Sequence, residues 1–287
     1  MNEFLSLFQI LKIHPFLIMA LLAGCLASFA SGIVGSYVVA KRIVFISGSI
    51  SHSVLGGMGI CLWLQRTYEI TWLTPFDGAL IAALLSAFMI GRIHLYYKER
   101  EDTIIATLWA FGMAIGVIFI SITPGYNVEL MNFLFGSILW TGPTDVIKLF
   151  LLDLLVILLV LPFHRKFLAL CFDEEQAFLQ GLRVHSLYFL LLALVAISVV
   201  VLIEIVGSIL VIAMLAIPPA IASTFTYRLS RIMLIAIALG IFFTYLGVNV
   251  SYHLNWPPGA TIAFTSSLFY LLNLVFKGFQ KKITKTA

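Results

Sequence analysis

Of 287 residues, 62% are hydrophobic and 10% charged, whereas soluble domains carry about 25% charged residues. The chain therefore reads as a polytopic membrane protein, a single transmembrane unit over 1–287, and not as water-soluble domains. Its formal net charge of +4 is no nucleic-acid signature, because the basic residues gather at the ends of apolar runs.

Apolar runs long enough to cross about 30 Å of hydrocarbon fall at 16–40, 44–65, 76–95, 103–121, 144–163, 185–203, 207–227, 231–251 and 258–277. The expected fold is all-α, with about nine hydrophobic segments of which eight or nine span. A further run, 128–140, is too short to span and reads as a re-entrant or interfacial helix. With nine passages and the N-terminus outside, every basic residue except Lys12, Arg66 and Lys148 falls inside, as cytoplasmic loops prefer. The C-terminus is then cytoplasmic. Cys25, Cys61 and Cys171 have no CxxC spacing, so neither a disulfide framework nor a cysteine metal site is indicated.

In the first run, Gly24, Ser28, Gly32 and Ser36 form a small stripe suited to close helix packing. The second run, FISGSISHSVLGGMG, holds His52 among Ser49, Ser51 and Ser53. Gly48 and Gly56 lie one helical turn to either side. Such a histidine either meets something small along a path or bonds a nearby carbonyl as a structural group. Asp153, in the middle of the fifth run, is costly unless paired, hydrated or protonated, and is open to the same two readings.

The longest cytoplasmic connection is HRKFLALCFDEEQAFLQGLR, 164–183. Asp173 is suited to cap a short helix, Glu174 and Glu175 to its first turn, and Gly181 to its end. Phe172, Phe178, Leu179 and Leu182 make one side apolar. The acids disfavour lipid headgroups, so this helix reads as a docking surface for another protein. In the seventh run, Pro218 and Pro219 deprive carbonyls near Met214 and Leu215 of their donors. A plain kink and a cavity-lining break both fit. Glu204 lies just before this run, at its outer end.

These stretches, in their order and spacing, resemble the zinc/manganese/iron class of ATP-binding-cassette permeases over essentially the whole chain. The residues that carry the resemblance are VGSYVVAKRIVFISGSISHSVLGGMG, EREDTIIATLWAFGMAIG, SITPGYNVELMNFLFGSIL, FDEEQAFLQGL, VGSILVIAMLAIPPAIA and LGVNVSYHLNWPPGATI. The resemblance implies the membrane half of an importer, usually dimeric, in the bacterial plasma membrane. It also implies a separate cytoplasmic ATPase and an extracytoplasmic metal-binding protein.

On the same resemblance, Asp173, Glu174, Glu175, Phe178 and Gly181 belong to the loop that couples to the ATPase. His52 belongs to the cation path. On the reading of the residues themselves, Asp153 is a further metal candidate as an intramembrane acid, and Gly48, Ser49, Gly56, Pro218 and Pro219 are candidates for path or gate. No permanently bound cofactor is implied, only a transported divalent ion. Many such permeases have an aspartate where Gly48 stands. Imidazole suits zinc and carboxylate-rich sites suit manganese, so zinc is expected ahead of manganese or iron.

Two other transport readings compete. A permease for a metal chelate would need a wider path. A secondary transporter acting alone would need paired intramembrane acids and an inverted repeat. An enzyme is disfavoured: neither HExxH nor GxxxxGK[ST] occurs.

Overall fold

The computed structural model describes residues 15–70, 72–96, 101–125, 129–136 and 138–286. The long helices are α1 (Pro15–Ala40), α2 (Val44–Tyr68), α3 (Pro75–Tyr96) and α4 (Glu101–Ile122). A short α5 (Glu129–Phe135) and a 3-10 turn (Ile138–Trp140) lead to α6 (Pro143–Phe172). After the short α7 (Glu174–Leu179) come α8 (Val184–Val206), α9 (Ser208–Ala222), α10 (Leu229–Leu254) and α11 (Pro258–Thr286). No strand occurs among the described residues. Among the described residues, eight helices are long and apolar enough to cross a bilayer.

The eight-helix count differs from nine expected runs because α9 has only 15 residues, about 22 Å of helix. Contacts at the helix ends nevertheless carry α9 through the bundle. Lys41 after α1, His94 near the end of α3 and Glu174 of α7 meet at one end. At the other, Arg66 near the end of α2 donates to the Pro124 carbonyl beyond α4. Gly207, after α8, abuts Gly136, and Gly259, at the start of α11, abuts Phe135. Ser230, early in α10, meets His164 late in α6. Thus α9 starts at the Trp140 end, and with residues 223–228 it brings the chain to the Lys41 end.

The run expected as one helix over 128–140 is broken at Gly136, whose φ of +67° stops α5 after seven residues. Residues 164–172, expected in a loop, continue α6. Pro218 and Pro219 lie inside α9 without ending it.

Helix α8 lacks Lys, Arg, Asp or Glu before Glu204 and is buried on most sides, as an apolar helix at a bundle centre should be. It packs on α3, α6, α1, α2 and α9, while α9, α10 and α11 pack on one another and α9 and α10 also on α1. The Gly24–Ser36 stripe of α1 is a packing surface: Gly24 meets Thr244, Ser28 meets Gly240 and Gly32 meets Ile237 of α10. Peripheral α4 lies chiefly on α2, and much of its length is exposed.

Candidate functional site

Serines tie α2 down locally. Ser51 donates to the Ser47 carbonyl at 2.8 Å and Ser53 to the Ser49 carbonyl at 3.0 Å. Ser49 instead reaches across, donating to the Ile105 carbonyl of α4 at 3.0 Å. Gly56 brings the helices close, since a Cβ there would lie 2.9 Å from the Gly112 carbonyl oxygen. His52 is half-buried in this seam. Its ring stacks on Trp109 of α4, with centroids 4.3 Å apart and planes 19° apart. Nδ1 is buried and makes no hydrogen bond. The turn below His52, expected to be open, is filled: a Cβ at Gly48 would lie 3.1 Å from Trp109 Cζ3. Within this chain, the glycines beside His52 admit α4.

Asp153 is not brought to His52. It is 5% exposed on α6, facing the backbone of Ala30 in α1, and its Oδ1 has no partner. No group of three or more His, Cys, Asp or Glu side chains among the described residues could hold a metal ion. Near the prolines of α9, α1 lies against the Leu215 carbonyl. A Cβ at Gly35 would lie within 2.3 Å of the Leu215 carbonyl oxygen, so only glycine admits that contact.

At the Lys41 end, Asp173 accepts from Gln176 N–H at 2.9 Å, satisfying a donor of the first turn of α7. Gly181, at φ +79°, ends the helix: Gly181 N–H donates to the Phe178 carbonyl and Leu182 N–H to the Ala177 carbonyl. Ala177 is buried, whereas Phe172, Phe178 and Leu179 are 72%, 64% and 84% exposed. Glu175 is exposed, but Glu174 turns inward onto Lys41 and His94. Hydrogen bonding from His94, then from Lys41, holds its carboxyl down at about 2, below the ordinary 4.5, against the opposing effect of burial. A cleft of about 460 Å3 opens beside α7, lined by His94, Glu174, Glu175, Phe178, Leu179 and His185.

Sequence reading missed three groups. Lys41 and His94 are lone polar residues at the ends of separate helices until folding joins them to Glu174. His164, expected in a loop, bridges Tyr37 of α1 (Nδ1 to hydroxyl, 2.7 Å) and Ser230 of α10 (Nε2 to hydroxyl, 3.1 Å). Lys148 pairs with Glu204 at 2.7 Å on the wall of a cavity of about 480 Å3 at the Trp140 end. Position in sequence carries no signal for Trp109, which is one apolar residue among many.

The model of the ABC 3 transport family matches residues 13–277. The chain belongs to that family. A Chlamydia pneumoniae protein named as a probable metal transport system membrane protein is 48% identical over 256 residues, 89% of this chain and 87% of the relative. The manganese transport system membrane protein MntC of Halalkalibacterium halodurans is 28% identical, covering 99% and 95% of the two chains. The solved structure of PsaBC from Streptococcus pneumoniae in complex with Fab superposes with a TM-score of 0.79 at 28% identity, covering 91% of this chain and 92% of that one. Family membership, the all-α fold and the multi-pass membrane character therefore agree with the reading from sequence.

Proposed function

We propose that the chain is the membrane permease of an ATP-driven importer of a divalent metal ion. The observation that carries this is the family match over nearly the whole chain, with metal transport named for relatives of similar length. On this reading the Lys41 end is cytoplasmic, the N-terminus is outside, and the membrane is the bacterial plasma membrane. Lys41, Arg42, Arg165, Lys166, Arg183, Arg228 and Arg231 cluster at the Lys41 end, the side where basic residues are favoured.

Helix α7 serves as the docking element for a separate cytoplasmic ATPase. Exposed Phe178 and Leu179 beside a cleft suit a helix-in-groove contact. A binding protein outside delivers the ion. His52 lies under a peripheral helix, away from the bundle centre, which suits a path formed between two copies of the permease. One imidazole from each copy, with water and serine oxygens, makes a weak site that an ion can leave. Imidazole without an adjacent carboxylate favours zinc; the manganese relatives support manganese as the second reading.

The test is uptake by proteoliposomes holding the permease and its ATPase, with zinc, manganese and iron in competition. His52→Ala is expected to abolish or severely slow uptake per assembled complex. Near-parental flux in that variant removes His52 from the path.

A further inference from the structure

We propose that Trp109 is the positioning residue for His52: its indole, admitted by the missing side chain at Gly48, fixes the plane of the imidazole that receives the cation. The proposal rests on the reading that His52 lies on the ion path. A metal-binding histidine is ordinarily oriented by a hydrogen bond from its second ring nitrogen to a carboxylate or carbonyl. His52 has no such bond: Nδ1 is buried without a partner. What holds the ring is the face-to-face contact with Trp109 at 4.3 Å and 19°. With Nδ1 covered, Nε2 is the nitrogen left to meet a cation.

The indole is itself carried on a fixed backbone. One turn before Trp109, the Ile105 carbonyl accepts from Ser49. Less than a turn after it, Gly112 lies against Ser53, where a Cβ would be 2.6 Å from the Ser53 Cα. The α4 segment is thus clamped to α2 on both sides of the indole. At 3.1 Å from where a Cβ would stand at position 48, the indole would have to give by a few tenths of an ångström beside a larger residue there. Gly48 and Trp109 therefore act as a pair: the glycine makes the slot and the tryptophan fills it.

Initial rates of zinc and of manganese uptake, measured against concentration in proteoliposomes of the permease–ATPase complex, test the proposal. Trp109→Leu keeps an apolar side chain but no ring plane; the KM for the ion is expected to rise about ten-fold, the lower range for losing a group that orients a metal ligand. Its maximal rate per assembled complex should stay near parental. Trp109→Phe, which can still stack, should restore KM most of the way. Gly48→Ala leaves the tryptophan in place but crowds it, and serves if Trp109→Leu does not assemble; its KM should rise, and Gly48→Ala with Trp109→Phe should lower it again.

A parental KM in Trp109→Leu, or in Gly48→Ala, overturns the proposal if His52→Ala abolishes uptake in the same preparation. So does a KM in Trp109→Phe as high as in Trp109→Leu, because a structural loss would not be rescued by a ring. If His52→Ala transports normally, the reading of the path fails first and Trp109 falls with it.

Discussion

A carboxyl group buried at 5% exposure in the middle of α6, with one oxygen unpartnered, is tolerated either as the neutral acid or with a cation beside it. Asp153→Asn separates these, because the amide matches the shape of the neutral acid and cannot bind a metal ion as a carboxylate does. The expected outcome is normal assembly and uptake in Asp153→Asn, with Asp153→Leu lowering the yield of folded complex where α6 meets Ala30 of α1. Uptake lost in Asp153→Asn at normal assembly places the carboxylate on the path instead. The sequence pointed to both intramembrane ionisable residues for a physical reason: each is costly at that depth. It could not say that one faces α4 and the other α1, since a lone polar residue carries no record of its partner. Trp109 was invisible for the opposite reason, because an aromatic in an apolar helix has many possible roles and only the stack on His52 selects one.

At the scale of elements, α7 was the most readable piece, since its cap, acids and terminal glycine follow local rules. Gly181→Ala tests the cap: no atom lies within 4 Å of a Cβ there, so the expected loss is the backbone cost alone, about 1 kcal/mol, seen as a small drop in thermal stability. Glu174 shows where local rules stop, for its neighbours Lys41 and His94 are distant in sequence. Its carboxyl is held below its ordinary 4.5, at about 2. The stabilisation is therefore complete above the ordinary value and is lost as pH falls toward the lower one. The difference in melting temperature between the parent and Glu174→Gln should shrink as pH falls below the ordinary carboxyl value toward the lowered one. A difference independent of pH would remove the ion pair as its cause. Phe178→Ala with Leu179→Ala should leave melting unchanged, because both side chains are exposed, while weakening association with the ATPase in pull-down. The span boundaries were legible from hydropathy for the eight long helices. The end of α6 was not, because Arg165 and Lys166 lie at its exposed Lys41 end, where a helix continues into water without penalty.

For the whole molecule, topology turns on α9. Fifteen residues give about 22 Å of helix against about 30 Å of hydrocarbon, so length alone counts eight spans and sets both ends of the chain on one side. The chain path says otherwise, because α9 leaves the Trp140 end and α10 starts near the Lys41 end. What completes the passage is irregular but hydrogen-bonded: Ser223, Thr224 and Phe225 N–H groups donate to Pro219, Ile221 and Ala222 carbonyls, and the hydroxyls of Ser223 and Thr224 bond to carbonyls of their own turn. Backbone at membrane depth needs that satisfaction. Exposed Phe225 and Tyr227 followed by Arg228 then suit a membrane interface, as do exposed Tyr68, Trp72, Trp140 and Trp256 at the opposite end. Single cysteines at two of these sites decide the matter, in a background with Cys25, Cys61 and Cys171 replaced. Trp140 and Tyr227, 87% and 96% exposed, are both accessible to reagent. With a membrane-impermeant maleimide on intact cells, Trp140→Cys is expected to label at once and Tyr227→Cys only after permeabilisation. Labelling of both from outside means that α9 dips and returns, which leaves an even number of passages. Labelling of Tyr227→Cys alone inverts the molecule, moving α7 outside and ending its assignment as the ATPase contact.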